Sequence, residues 1–141
     1  MRAVYLLDTN VISELIKPEA NKGFMENFSR RADLCAICSV VWQEAVHCYE
    51  LLPEGKRKDK IKQYLDKISE TFDILPYDKF ASEICGEFRA RCRENGKTTA
   101  WSDSQIAATA IANGMVLVTH NTADYTPIAE VSSLRFEDWF E

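Results

Sequence analysis

Two short apolar runs, Ala3-Val4-Tyr5-Leu6-Leu7 and Met115-Val116-Leu117-Val118-Thr119, lie near opposite ends of the chain, and each leads into an acid, Asp8 at once and Asp124 five residues on. Runs this short with no polar alternation read as strands covered on both faces, as in a parallel sheet. Carboxylates next to such strands are costly to bury unless they are paired, hydrogen-bonded or bound to a cation. Glu44 and Asp103 pose the same problem on helices. Glu44 stands three after Val41 and four before Cys48, and Asp103 three and four before Ile106 and Ala107, so both border apolar stripes near helix starts. A divalent cation accounts for all four acids at once, and hard oxygen ligands suit Mg²⁺ or Mn²⁺. Each acid also has a purely structural reading: Asp8 as a helix cap, Asp103 as a partner for a helix N-terminus, Glu44 as a surface acid, Asp124 as an Asx-turn residue.

The rest of the chain alternates in the same way. Helical spacing or capping signals predict helices over 10–16, 23–30, 39–52, 56–69 and 78–93, and another after a capping box at Ser102-Asp103-Ser104-Gln105. Ser39 reads as the cap of the third helix and Gly114 as the stop of the last. Strands are expected at 34–38 and 72–75, with a short edge strand at 133–136. Strands alternating with helices imply a mostly parallel sheet of about five strands in a three-layer α/β/α sandwich. Ligands of such sheets bind beyond the carboxyl ends of the strands, where Asp8 and Asp124 fall.

A length of 141 residues, 46% hydrophobic and 28% charged, fits a single domain over 1–141 with one core. Apolar stretches are too short to span a membrane, and the N-terminus carries no secretory pattern, so a cytoplasmic location is expected. Five cysteines suit a reducing compartment, and Cys35-x-x-Cys38 reads as buried thiols because positions i and i+3 of a strand face apart. A net charge of −5 argues against gripping nucleic acid by bulk electrostatics, although an empty metal cluster must itself be acidic. Local basic clusters, Lys56-Arg57-Lys58 with Lys60 and Lys62, and Arg89, Arg91, Arg93 and Lys97, read as solvated helix faces or phosphate contacts.

Four segments together, Leu7-Asp8-Thr9-Asn10-Val11-Ile12, the inward Glu44, Asp103-Ser104-Gln105-Ile106-Ala107-Ala108 and Val118-Thr119-His120-Asn121-Thr122-Ala123-Asp124-Tyr125, resemble the ordered motifs of the PIN-domain family, in particular its VapC-type ribonuclease toxins. The resemblance runs from about residue 4 to 139. It implies a PIN-like fold and an endoribonuclease dependent on Mg²⁺, with Mn²⁺ substituting, whose catalytic acids are Asp8, Glu44, Asp103 and Asp124. Asp8 and Asp103 match the positions that contact metal most directly, Glu44 and Asp124 are open as further ligands, and Thr9 and Asn121 match supporting polar positions. Asn10 fits a cap of the first helix. The resemblance also implies a structured RNA substrate of tRNA or ribosomal-loop type, a homodimer, and a small antitoxin that fills the site. The apolar surface for that partner is placed near Ile12, Leu15, Ile16 and Trp42, residues that read equally well as core. One departure stands out. Relatives carry a small, Gly-containing turn before the third acid, where this chain has Thr98-Thr99-Ala100-Trp101-Ser102. Trp101 reads as a pocket wall, a base-stacking surface, or a core or interface side chain.

Two rivals compete with this reading. A non-catalytic PIN-like module would be expected to have lost carboxylates, and here the set is intact. An aspartyl-phosphate phosphatase of the haloacid-dehalogenase type wants a second Asp two residues after the first, where this chain has Asn10. His47 and His120 suggest metal-free acid–base chemistry, but the sequence pairs neither of them.

Overall fold

The computed structural model describes residues 3–140. Five parallel strands, β1 (Tyr5–Leu7), β2 (Cys35–Cys38), β3 (Asp73–Leu75), β4 (Val116–Val118) and β5 (Phe136–Glu137), form one sheet in the order β3-β2-β1-β4-β5. Seven helices connect them: α1 (Thr9–Leu15), α2 (Lys22–Arg31), α3 (Ser39–Glu50), α4 (Lys56–Thr71), α5 (Lys79–Glu94), α6 (Trp101–Ala112) and α7 (Thr122–Val131). β2 and β4 are buried at every residue, and successive side chains of a strand point to opposite faces. Both faces of the sheet are therefore covered, which gives the expected three-layer sandwich. On one side α5, α6 and α7 pack on one another, while α3 joins α1 and α4. Among the described residues no helix is long and apolar enough to cross a membrane.

The strand order places β1 at the centre and reverses direction on either side of it. β1 pairs with β2 on one edge, Tyr5 against Cys35, and with β4 on the other, Leu6 against Leu117 and Leu7 against Val118. Their carboxyl ends flank the switch point, the natural crevice of an open α/β sheet. Below it the core is fully buried through Leu6, Leu7, Ile37, Ile106, Leu117 and Phe88. The thiols of Cys35 and Cys38 are buried within it, and Cys35 donates to the Arg31 carbonyl at 3.3 Å.

Several local expectations need correction. The helix over 101–112 begins at Trp101 with Ala100 as its N-cap and no side-chain cap, so Ser102 lies inside the helix and the capping box does not form. Ser39 is the first residue of α3 rather than its cap, and its hydroxyl accepts from the Tyr77 amide at 3.0 Å, tying α3 to the segment after β3. Helix α7 was not anticipated. Pro127 sits inside it and removes one ladder donor, which masks the helical pattern in sequence. The last strand forms at Phe136–Glu137 rather than over 133–136. Its continuation is pinned to α2: Asn27 donates to the Trp139 carbonyl at 3.0 Å, the Arg31 guanidinium lies over the Trp139 ring, and Phe140 packs on Phe24.

Leu117 occupies the middle of the sheet with no exposed surface, between Leu6 and Phe136. Leu117→Ala should lower unfolding free energy by about 2–5 kcal/mol, seen as a lower urea midpoint at unchanged slope.

Candidate active site

Asp8 leaves β1 and turns at once into α1, and only 3% of its surface is exposed. It is the N-cap of α1. Its Oδ1 accepts from the amides of Asn10 at 3.1 Å and Val11 at 3.4 Å. Its Oδ2 accepts from Thr119 Oγ1 at 2.7 Å, the Asn10 amide group at 3.2 Å and the Tyr125 hydroxyl at 3.3 Å. Thr119 stands just past β4, so this bond spans the switch point. Asn10 is therefore not the cap. Its side chain donates to Asp8 and accepts from the His120 amide at 3.3 Å. Even with these donors, burial dominates and raises the Asp8 pKa from 3.8 to about 6.

Asp103, in the first turn of α6, meets Asp8 through Tyr125. The same phenol that reaches Asp8 lies 3.3 Å from Asp103 Oδ1. One hydroxyl proton serves two carboxylates, so neither is fully satisfied by it. The Asp103 pKa is raised by burial first, then by the Asp124 carboxylate, with Glu44 adding to it. Glu44 and Asp124 thus lie in the electrostatic neighbourhood of Asp103, which Tyr125 links to Asp8. Glu44, half-buried on α3, accepts from Thr9 Oγ1 at 2.7 Å. Asp124, in the first turn of α7, is exposed. Asn121 is exposed as well and contributes its backbone amide to Thr119 Oγ1 at 3.0 Å.

Among the described residues no Lys, Arg or His forms an ion pair with Asp8, Glu44, Asp103 or Asp124. Nor, among these residues, do three or more Asp, Glu, His or Cys side chains converge closely enough to hold a metal ion together. The donors present are carboxylates in an open arrangement around the Asp8–Asp103 pair. That suits Mg²⁺, which commonly takes one or two protein carboxylates and completes its shell with water and phosphate oxygens.

Sequence reasoning missed Thr119 and Tyr125 as the donors that hold the pair. Tyr125 is fully buried beside the fourth acid, and its hydroxyl is kept protonated by burial and by the two carboxylates. Being apolar in bulk and polar at one atom, it carries no local sign of that role in the sequence. His120 also differs from expectation: its Nδ1 lies 3.0 Å from Asp138, and its ring stacks on Phe140. Arg89, grouped above with phosphate contacts, is instead committed internally to Thr99 and Ser104.

A parallel α/β sandwich with unneutralised carboxylates at its switch point defines an acidic-site α/β protein. The chain belongs to the PIN-domain family, whose model matches residues 5–129. It is 27% identical over 135 residues to the tRNA(fMet)-specific endonuclease VapC of Shigella flexneri, covering 96% of this chain and 97% of that one. It is 31% identical over 129 residues to the toxin FitB of Neisseria gonorrhoeae, covering 85% and 89%. Its fold matches the solved structure of FitAB bound to the IR36 DNA fragment with a TM-score of 0.88 at 26% identity, over 98% of this chain and 96% of that one.

A carboxyl whose pKa is raised on folding binds its proton more tightly in the native state. The stability tied to that proton is complete below the unfolded value of 3.8 and is lost as pH rises to about 6, at a cost of roughly 3 kcal/mol. In the presence of chelator the melting temperature should therefore fall over this interval. Asp8→Asn should flatten the fall and melt higher than wild type at pH 7; parallel pH profiles for the two proteins would contradict it.

Proposed function

We propose that this protein is a divalent-cation-dependent endoribonuclease, the toxin of a toxin–antitoxin pair, that hydrolyses phosphodiesters in structured RNA. The observation that carries this reading is the Asp8–Asp103 pair at the switch point, flanked by Glu44 and Asp124, with no ion pair to any of the four among the described residues. The names of the relatives support it, since they are VapC ribonucleases and toxins. Asp8 and Asp103 are assigned to hold Mg²⁺, for which Mn²⁺ substitutes, with Glu44 and Asp124 beside them. When bound, such a cation polarises the phosphodiester and lowers the pKa of an attacking water.

The chain's own groups do the positioning. The α1 amides of Asn10 and Val11 fix one oxygen of Asp8, and Thr119 and Tyr125 fix the other. This removes the freedom of the carboxylate to rotate away. Thr9 does the same for one oxygen of Glu44. Asp124, exposed at the mouth, is assigned to accept the proton of the attacking water. A net charge of −5 disfavours hold on a long duplex, so the substrate class is RNA with unpaired loops of the tRNA or ribosomal kind. Asp103→Asn should keep the fold and lower Mg²⁺-dependent cleavage of a hairpin RNA by at least about a hundredfold, an effect on the scale of a lost catalytic group. Cleavage by wild type that survives excess EDTA would reject the metal-dependent reading.

The partner reading rests on a groove. Between α1, α3 and α4 an apolar trough lined by Ile12, Ile16, Ala45, Leu52, Ile61 and Leu65 starts at Thr9 and Glu44. An adjoining hollow, which shares Ser13, Ile16, Arg57 and Ile61 with it, is lined by Lys17, Lys56, Arg57 and Lys60. Ile12 and Ile16, named from sequence, line it; Leu15 and Trp42 are partly buried against the core. Such a trough suits an amphipathic antitoxin segment whose basic side chain reaches the carboxylates, Arg being the best fit for bidentate pairing. Structural neighbours that are VapBC and FitAB complexes support an antitoxin partner. A homodimer and a cytoplasmic location belong to the same reading. Ile61→Glu should leave RNA cleavage intact yet weaken binding of the cognate antitoxin by about 2 kcal/mol, near thirtyfold, in calorimetric titration. Unchanged affinity would place the partner elsewhere.

A further inference from the structure

Trp101 is the first residue of α6, two positions before Asp103, and 67% of its surface is exposed. An exposed indole in the first turn of the helix that carries Asp103 is unusual enough to need a cause, and the surroundings supply one. The Arg89 guanidinium lies 3.7 Å from the ring centroid and covers one face. It does not move freely. Arg89 Nη1 donates to the Thr99 carbonyl at 2.8 Å, to Thr99 Oγ1 at 3.2 Å and to Ser104 Oγ at 2.9 Å. Ser104 is itself fully buried and bonded to the Ala100 carbonyl at 2.8 Å. The indole is thus clamped from behind by a fixed cation, and its exposure leaves the opposite face open to solvent.

We infer that Trp101 is a stacking platform for an unpaired nucleobase of the RNA, next to the phosphodiester cut at the Asp8–Asp103 pair. This rests on the ribonuclease reading above and deepens it. A flat π-surface held rigid beside a phosphodiester site matches how single-stranded nucleic acid is gripped, since every base offers a face whatever its identity. The cation behind the ring completes a base–indole–guanidinium stack. It also lets an acidic protein engage RNA through ring faces rather than through bulk charge. A protein contact is the weaker fit. The residues beside Trp101 in sequence, Thr98, Thr99, Ala100 and Ser102, are small or polar rather than an apolar patch. The exposed ring of α5, Phe80, precedes Arg89 by nine residues, which turns it to the opposite side of that helix.

The test uses the full chain with Mn²⁺ and a hairpin RNA carrying a loop of mixed sequence, its cleavage position first mapped with wild type. Trp101→Ala should lower kcat/KM by about tenfold or more, chiefly through KM, and Trp101→Phe should restore most of it. An abasic residue beside the cut should cost wild type a similar factor and cost Trp101→Ala nothing further. Equal melting temperatures of the three proteins would show that the loss is not unfolding. Cleavage by Trp101→Ala at the wild-type rate, or an abasic penalty that persists in Trp101→Ala, overturns the stacking role alone. So does a loss equal in the Ala and Phe variants together with a drop in solution mass, which would make the ring a subunit contact. No metal-dependent cleavage by wild type overturns the ribonuclease reading, and the stacking role with it.

Discussion

The structure turns on the burial of one carboxylate. Asp8 sits where the central strand ends, and its two oxygens collect donors from the start of α1, from the end of β4 and from α7. Each of these elements is fixed relative to β1 partly because Asp8 requires it. A buried acid with five donors and a pKa still raised to about 6 is not a stability device, since an apolar residue in its place would avoid the desolvation. The fold accepts a local penalty at the point where it places its chemistry, the usual sign that a site rather than a core is being built.

A second local rule is broken at α4. Its first turn carries Lys56, Arg57 and Lys58 against the single acid Asp59, behind Gly55 and with no side-chain cap, where the helix dipole favours acids. Lys58 recovers something from Glu54 and from the Tyr49 ring. Lys56 and Arg57 instead line a hollow that shares Ser13, Ile16, Arg57 and Ile61 with the apolar trough, whose own lining includes both an acid, Glu44, and a base, Arg57.

How much of this could be read from the sequence follows from the range of each interaction. Continuous apolar runs announced the central strands because burial on both faces leaves no room for polar alternation, and Leu6, Ile37 and Leu117 sit where those runs put them. Asp8, Glu44, Asp103 and Asp124 could be singled out because an acid beside an apolar stripe is anomalous within a few residues. Bonds between distant positions left no such trace. Thr119 to Asp8 crosses 111 positions, and Tyr125 to Asp8 crosses 117. The capping assignments at Ser39 and Ser102 failed for a related reason. A serine near a helix start has the right local pattern whether its hydroxyl serves its own helix or, as with Ser39 and Tyr77, another segment. The internal Pro127 hid α7 because its missing donor is tolerated once Tyr125 and Ile128 are buried.

The separation between Asp8 and its partners has a consequence for the order of events during synthesis. The groups that orient Asp8 leave the ribosome 111 and 117 positions after it. At a translation rate of about 5–20 residues per second, that gap lasts on the order of ten seconds. Beyond it, the segment through Trp139 and Phe140 must still dock on α2 to seal the far side of the sheet. A nascent chain therefore carries its acids without their geometry. The site is assembled only once Thr119 and Tyr125 have emerged, so it forms late in synthesis rather than with the strand that leads into Asp8.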